Sequence, residues 1–66
     1  MTTVKVLEMV AESHVGFEDA IKNAVADAAK RVNGVTGIEV YNMTADVDNG
    51  KIVDYKVNLK VAFVEK

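Results

Sequence analysis

Ile38-Glu39-Val40-Tyr41-Asn42-Met43-Thr44-Ala45-Asp46-Val47-Asp48, then Asn49-Gly50-Lys51, then Ile52-Val53-Asp54-Tyr55-Lys56-Val57-Asn58-Leu59-Lys60-Val61-Ala62-Phe63: this stretch decides the fold. An Asn-Gly pair between two β-prone runs marks a two-residue hairpin turn, because a type I′ turn needs φ > 0 at both central residues. The second arm alternates, with Val53, Tyr55, Val57, Leu59, Val61 and Phe63 on one side and Asp54, Lys56, Asn58 and Lys60 on the other. That is the period of a half-buried strand. Counting outward from the turn sets Asp48 against Lys51. Asn42 then faces Val57, Val40 faces Leu59 and Ile38 faces Val61, on an apolar side that packs on a helix. The opposite side takes Gly37, Glu39, Tyr41, Met43, Ala45 and Val47 against Ala62, Lys60, Asn58, Lys56, Asp54 and Ile52. Glu39 opposite Lys60 is a favourable cross-strand charge pair, which supports the count. A β-bulge near the turn would shift these pairs.

The 66-residue chain is expected to form one domain, residues 1–66. A core this small supplies about 3–5 kcal/mol, so natural domains of the size add a disulfide, a metal or a partner subunit. Cysteine is absent and histidine occurs once, so a disulfide, a thiolate site and the usual structural zinc sets are excluded. Oligomerisation is the remaining standard route. The formal net charge is -2 and the basic residues are scattered, which argues against nucleic acid, since phosphate binding needs a concentrated basic surface. No stretch has the length of a membrane span, and Met1-Thr2-Thr3-Val4-Lys5 lacks the basic-then-apolar form of a signal peptide. A cytoplasmic protein is expected.

Residues 4–11 are a β-prone run with faces Val4, Val6, Glu8, Val10 and Lys5, Leu7, Met9, Ala11. Neither face is polar throughout, so both need cover, and a second copy of the chain is the simplest source for the side without a helix. After a connector over residues 12–16 the period becomes helical: Phe17, Ala20, Ile21, Ala24, Val25, Ala28 and Val32 share one stripe. Gly16, or alternatively Ser13, is the expected N-cap. Glu18 and Asp19 begin the helix and Lys30 and Arg31 end it, complementing the macrodipole. Asn33-Gly34 is expected to supply the left-handed residue that stops it. The order strand, helix, strand, strand predicts an α+β fold: βαββ, with a three-stranded antiparallel sheet packed on one helix.

The combination of Lys5-Val6-Leu7-Glu8, Phe17-Glu18-Asp19-Ala20-Ile21-Lys22-Asn23-Ala24, Ile38-Glu39-Val40, Asn49-Gly50-Lys51-Ile52 and residues 55–63 resembles the dodecin family over nearly the whole chain. The resemblance implies a hollow homododecamer with helices outside and the sheet face inside. It also implies storage or protection of flavins, bound as stacked pairs, rather than catalysis. In flavin-binding members a tryptophan stacks on the isoalloxazine ring and a glutamine bonds its edge. The matching positions here are Gly37 and Lys56. Glycine offers no π-face, and an aromatic pair is worth about 0.5–1.5 kcal/mol beyond its buried area. A lysine donates hydrogen bonds but accepts none. Some members lacking the aromatic are associated with calcium.

Gly37 and Lys56 are therefore the ligand positions the resemblance points to, and Glu39, Tyr41, Met43, Asn58 and Lys60 are the ligand-face candidates. Asp46 and Asp48 are the metal candidates. Asp46-Val47-Asp48-Asn49-Gly50 resembles the start of an EF-hand loop, but glycine falls at the fifth position and the twelfth is Val57. Hairpin-tip acids in water are the simpler reading. His14 reads as a solvated loop residue, and Tyr55 as core. No nucleophile–base set or phosphate loop occurs, so an enzyme is not expected. The function expected is small-ligand binding or storage by a self-assembled shell, with flavin affinity weakened or lost and another molecule or calcium as ligand. A riboflavin- or FMN-binding shell using other aromatics, and an assembly without ligand, are the alternatives.

Overall fold

Asn49 and Gly50 both adopt positive φ, 51° and 77°, so the two-residue turn forms and Asp48 pairs with Lys51. The computed structural model describes residues 3–65. The chain runs β1 (Thr3–Ser13), α1 (Phe17–Arg31), β2 (Val35–Asp48) and β3 (Lys51–Glu65). β3 lies in the middle of a three-stranded sheet, antiparallel to β1 on one edge and β2 on the other. This is the expected βαββ arrangement. β1 outruns its predicted end at Ala11 because Glu12 and Ser13 still pair with Lys56 and Tyr55.

α1 meets the sheet through Ala20, Ala24 and Ala28, all buried, over Val57, Leu59 and Val61, each 0 % exposed. Alanines at i,i+4 spacing remove the bulk that sets the distance between packed elements, so the helix lies close to β3. Leu7, Met9, Phe17, Ile21, Val35 and Val40 pack around this centre. Phe17 meets Tyr55 edge-on, ring centroids 5.0 Å apart at 83°, which places Tyr55 in the core as expected. Each fully buried valine or leucine is worth about 1.5–3 kcal/mol.

Gly16 is the N-cap, and no side chain caps the helix. Ser13 instead fixes the connector. Its hydroxyl donates to Asp19 Oδ2 (2.6 Å) and accepts from the Val15 and Gly16 amides (2.9 and 3.4 Å). Asp27 and Arg31 close their i,i+4 pair at 2.9 Å. The helix stops differently from expectation, because Val32 itself turns extended (φ -134°, ψ 157°) while its N–H still bonds the Ala28 carbonyl. Gly34, at φ +75°, has another task. Its carbonyl accepts from Val64 N–H at 3.0 Å, and a Cβ there would lie 2.7 Å from the Val64 carbonyl oxygen.

The hairpin register departs from the simple count in its middle. Tyr41 is an extra residue between the Val40–Leu59 and Asn42–Asn58 pairs, and Val53 is an extra residue between Asp46–Asp54 and Val47–Ile52. The two bulges cancel, so pairs at both ends match the expectation and those between are offset by one. A one-residue slip sends every side chain to the other face. Asn42 therefore pairs with Asn58 instead of Val57, on the face away from α1, hereafter the open face. Met43, Ala45 and Val47, expected on that face, instead fall on the helix side, paired with Val57, Tyr55 and Ile52. The chain is long and thin, 52 × 20 × 13 Å, and the tip of the hairpin runs past the end of β1.

Gly34→Ala should lower the urea midpoint at fixed protein concentration, by about 1–3 kcal/mol of stability, for backbone strain and the Val64 clash. An unchanged midpoint would mean that the turn into β2 is not held as described.

Candidate functional site

Alternation along β3 puts Asp54, Lys56, Asn58, Lys60 and Ala62 on the open face. β1 adds Val6, Glu8, Val10 and Glu12 opposite them, and β2 adds Gly37, Glu39, Asn42, Thr44 and Asp46. Of the sequence-derived candidates, this face brings together Gly37, Glu39, Tyr41, Asp46, Lys56, Asn58 and Lys60. It does not include Met43, which the Tyr41 bulge carries to the helix side, half exposed beside the uncovered ribbon. Asp48 sits at the turn opposite Lys51.

Gly37 pairs with Ala62, and a Cβ built at Gly37 would meet nothing within 4 Å. The position is open space. Lys56 is the opposite case. Its Nζ donates to Asp46 Oδ2 at 2.7 Å, with Asp54 at 3.5 Å and Glu12 at 4.0 Å. The hydrogen bond to Asp46, helped by the charges of Asp46 and Asp54, raises the Lys56 ammonium above its ordinary value despite desolvation. The cluster has a structural logic, because Asp46 and Asp54 are direct cross-strand partners and like charges so placed repel. Lys56 is the counter-ion between them.

Lys60 repeats the pattern further along β3. Its Nζ lies 3.9 Å from Glu8 and 5.7 Å from the centre of the Tyr41 ring, and it stands opposite Glu39. Between the two lysines, Asn58 Nδ2 donates to Asn42 Oδ1 at 2.7 Å. The carboxylates on this face outnumber the ammonium groups, so its field is negative. His14, on the connector, donates from Nδ1 to the Val53 carbonyl at 3.0 Å and lies 3.8 Å from Asp54. A carbonyl only accepts, so that nitrogen carries the proton. The loop histidine thus ties the connector to the second bulge.

Sequence reasoning missed Asn42, Glu12 and Asp54. Asp54 follows from the alternation of β3 alone, and Glu12 once β1 is extended to Ser13. Asn42 does not, because the Tyr41 bulge carries no glycine or other marker. For a metal, Asp46 is already bonded to Lys56, and among the described residues no group of three or more histidine, aspartate or glutamate side chains could hold an ion. Gly37 presents no side chain to this face, and the Lys56 ammonium is engaged by Asp46 and Asp54. No helix among the described residues is long and apolar enough to cross a membrane.

The family model described as Dodecin matches residues 3–65. The chain belongs to the dodecin family. A dodecin from Streptomyces coelicolor is 28 % identical, with a TM-score of 0.92 over 98 % of this chain and 93 % of that one. A mutant of the Thermus thermophilus dodecin is 29 % identical, with a TM-score of 0.94 over 100 % and 98 %. A calcium dodecin from Mycobacterium tuberculosis, described as calcium-chelating with a novel calcium-binding site, is 29 % identical, with a TM-score of 0.81 over 97 % and 91 %. Comparison with curated proteins gives no match.

Lys56→Gln should lower the melting temperature by a few degrees at low ionic strength, since it leaves Asp46 and Asp54 facing each other. The deficit should shrink near 1 M salt, where the Debye length is about 3 Å. Because the lysine value is raised on folding, its contribution is full below the ordinary value of 10.5 and fades as pH climbs through the raised one. A deficit that grows with salt would contradict the ion-cluster assignment.

Proposed function

We propose that this chain is the single-domain subunit of a cytoplasmic, hollow homododecamer. The shell binds and stores a small ligand without catalysis, and its flavin affinity is weakened or lost relative to flavin-binding dodecins. The observation that carries the ligand reading is the pairing of an empty position at Gly37 with a lysine at Lys56 already bound to Asp46. One position lacks a stacking surface, and the other cannot present the amide edge a flavin would need.

Self-assembly is supported by the exposed apolar side chains on the open face of β1. Val4, Val6 and Val10 are 61 %, 58 % and 61 % exposed, in a chain with a small core and no disulfide. A patch of this kind is expected to meet another subunit. With the open face turned inward, the ligand is another small molecule or a cation such as calcium, held by oxygens from several subunits. The calcium dodecin among the relatives supports the cation reading. A second reading keeps riboflavin or FMN as ligand, and the half-exposed Tyr41 ring beneath Lys60 favours it.

Native mass spectrometry of freshly purified protein, followed by riboflavin fluorescence quenching, tests the proposal. A dodecamer whose riboflavin affinity is micromolar or weaker is expected, with Gly37→Trp tightening it about 10-fold, in line with about 1.4 kcal/mol from one stacked ring. A particle of one to three subunits overturns the shell, and sub-micromolar riboflavin binding by the unaltered protein overturns the weakened site in favour of the Tyr41 reading.

A further inference from the structure

The chain contains the same dipeptide twice, Asn33-Gly34 and Asn49-Gly50, and the fold holds the two in different ways. Asparagine before glycine is prone to deamidation, because glycine has no side chain to obstruct attack by its backbone nitrogen on the asparagine side-chain carbonyl. The glycine nitrogen must swing onto that carbonyl, so the backbone around the pair has to leave its native conformation. How readily each segment opens decides which asparagine reacts.

Asn33-Gly34 joins the end of α1 to the start of β2 and is tied on both sides. Val32 N–H bonds the Ala28 carbonyl, and the Gly34 carbonyl accepts from Val64 N–H at 3.0 Å. Gly34 lies so close to β3 that a Cβ would stand 2.7 Å from the Val64 oxygen. Val35, next in the chain, packs against the core. Rotation here breaks the Val64 bond and draws a core residue with it. Asn49-Gly50 is exposed at the hairpin tip, past the last β1 pair at Ser13–Tyr55. A Cβ at Gly50 would meet nothing within 4 Å. Only Asp48–Lys51 and Val47–Ile52 separate the turn from the Val53 bulge, and Val47 and Ile52 are exposed. The tip thus opens as far as the bulge without disturbing the core, while Asp46 and Lys56 stay bonded beyond it.

We propose that Asn49 is a site of spontaneous deamidation in the folded protein, while the fold protects Asn33. The Gly50 nitrogen bonds to Asn49 Cγ, the Cγ–NH₂ bond breaks, and ammonia leaves with the proton that Gly50 gives up. Water then opens the cyclic imide at one of its two carbonyls, giving isoaspartate or aspartate with no change of oxidation state. Either product adds a carboxylate to a tip that already carries Asp46, Asp48 and Asp54. Isoaspartate also lengthens the main chain by a methylene, which a two-residue turn with φ > 0 at both positions does not accommodate. The tip then unpairs as far as the Val53 bulge, and the Asp46–Lys56 bond is the stop.

The test uses the full, unaltered protein, aged in mildly alkaline buffer beside the same chain held unfolded in urea. Cleavage after Glu39 separates the two sites, and mass spectrometry follows the exchange of NH₂ for OH at each. In the folded protein Asn49 should convert at least about 10-fold faster than Asn33, and urea should bring the rates together by accelerating Asn33. Amide exchange in the aged, folded protein should quicken from residue 47 to residue 52 and stay unchanged at Val57, Leu59 and Val61. A smaller ratio in the folded protein, no conversion at Asn49 while the unfolded chain reacts, or a ratio that persists in urea each overturns the proposal. Exchange that is unchanged at the tip of the isoaspartate form overturns its structural consequence.

Discussion

Everything in this chain depends on β3 being paired along both edges. A strand held between two partners has no freedom of register, and its alternation then assigns two opposed tasks. Val57, Leu59 and Val61 go under the helix, while Lys56, Asn58 and Lys60 go to the other face. A slip of one residue would bury the lysines and expose the core. The alanines of α1 complete the arrangement. Because Ala20, Ala24 and Ala28 add so little bulk, most of the apolar filling comes from the sheet.

The same constraint explains why the open face carries its own ionic wiring. Cross-strand geometry sets Asp46 against Asp54 and Glu39 against Lys60, and Lys56 serves as counter-ion to the first pair. Gly37 leaves room, and Lys56 holds the ribbon's carboxylates together. The bulge at Tyr41 places a new polar pair, Asn42 and Asn58, between the two lysines.

Much of this was legible in the residues. The Asn49-Gly50 turn, the Val57–Leu59–Val61 alternation and the alanine stripe each state a local preference that agrees with the whole, and the βαββ fold follows from them. The ends of the hairpin register were legible too, because the turn pins one end and Glu39–Lys60 the other. Its middle was not. Tyr41 and Val53 carry no signal for a bulge, and two compensating bulges leave the pairs at both ends in place, so the error fell on the residues from Tyr41 to Ala45 and on the face given to Val47 and Ile52. The helix stop was misread for a related reason: Gly34 has positive φ, but it is needed where β2 approaches Val64. The candidate site was legible as a face, through alternation, while its hydrogen-bond pattern depended on a bulge that only the fold reveals.

The central claim is that the open face of each subunit is turned toward a shared interior. A structure of the assembled particle at side-chain resolution tests it most directly. The account predicts α1 on the outer surface and Lys56, Asn58 and Lys60 lining a common cavity. A particle with these three side chains on its outer surface and the helices inside would contradict it.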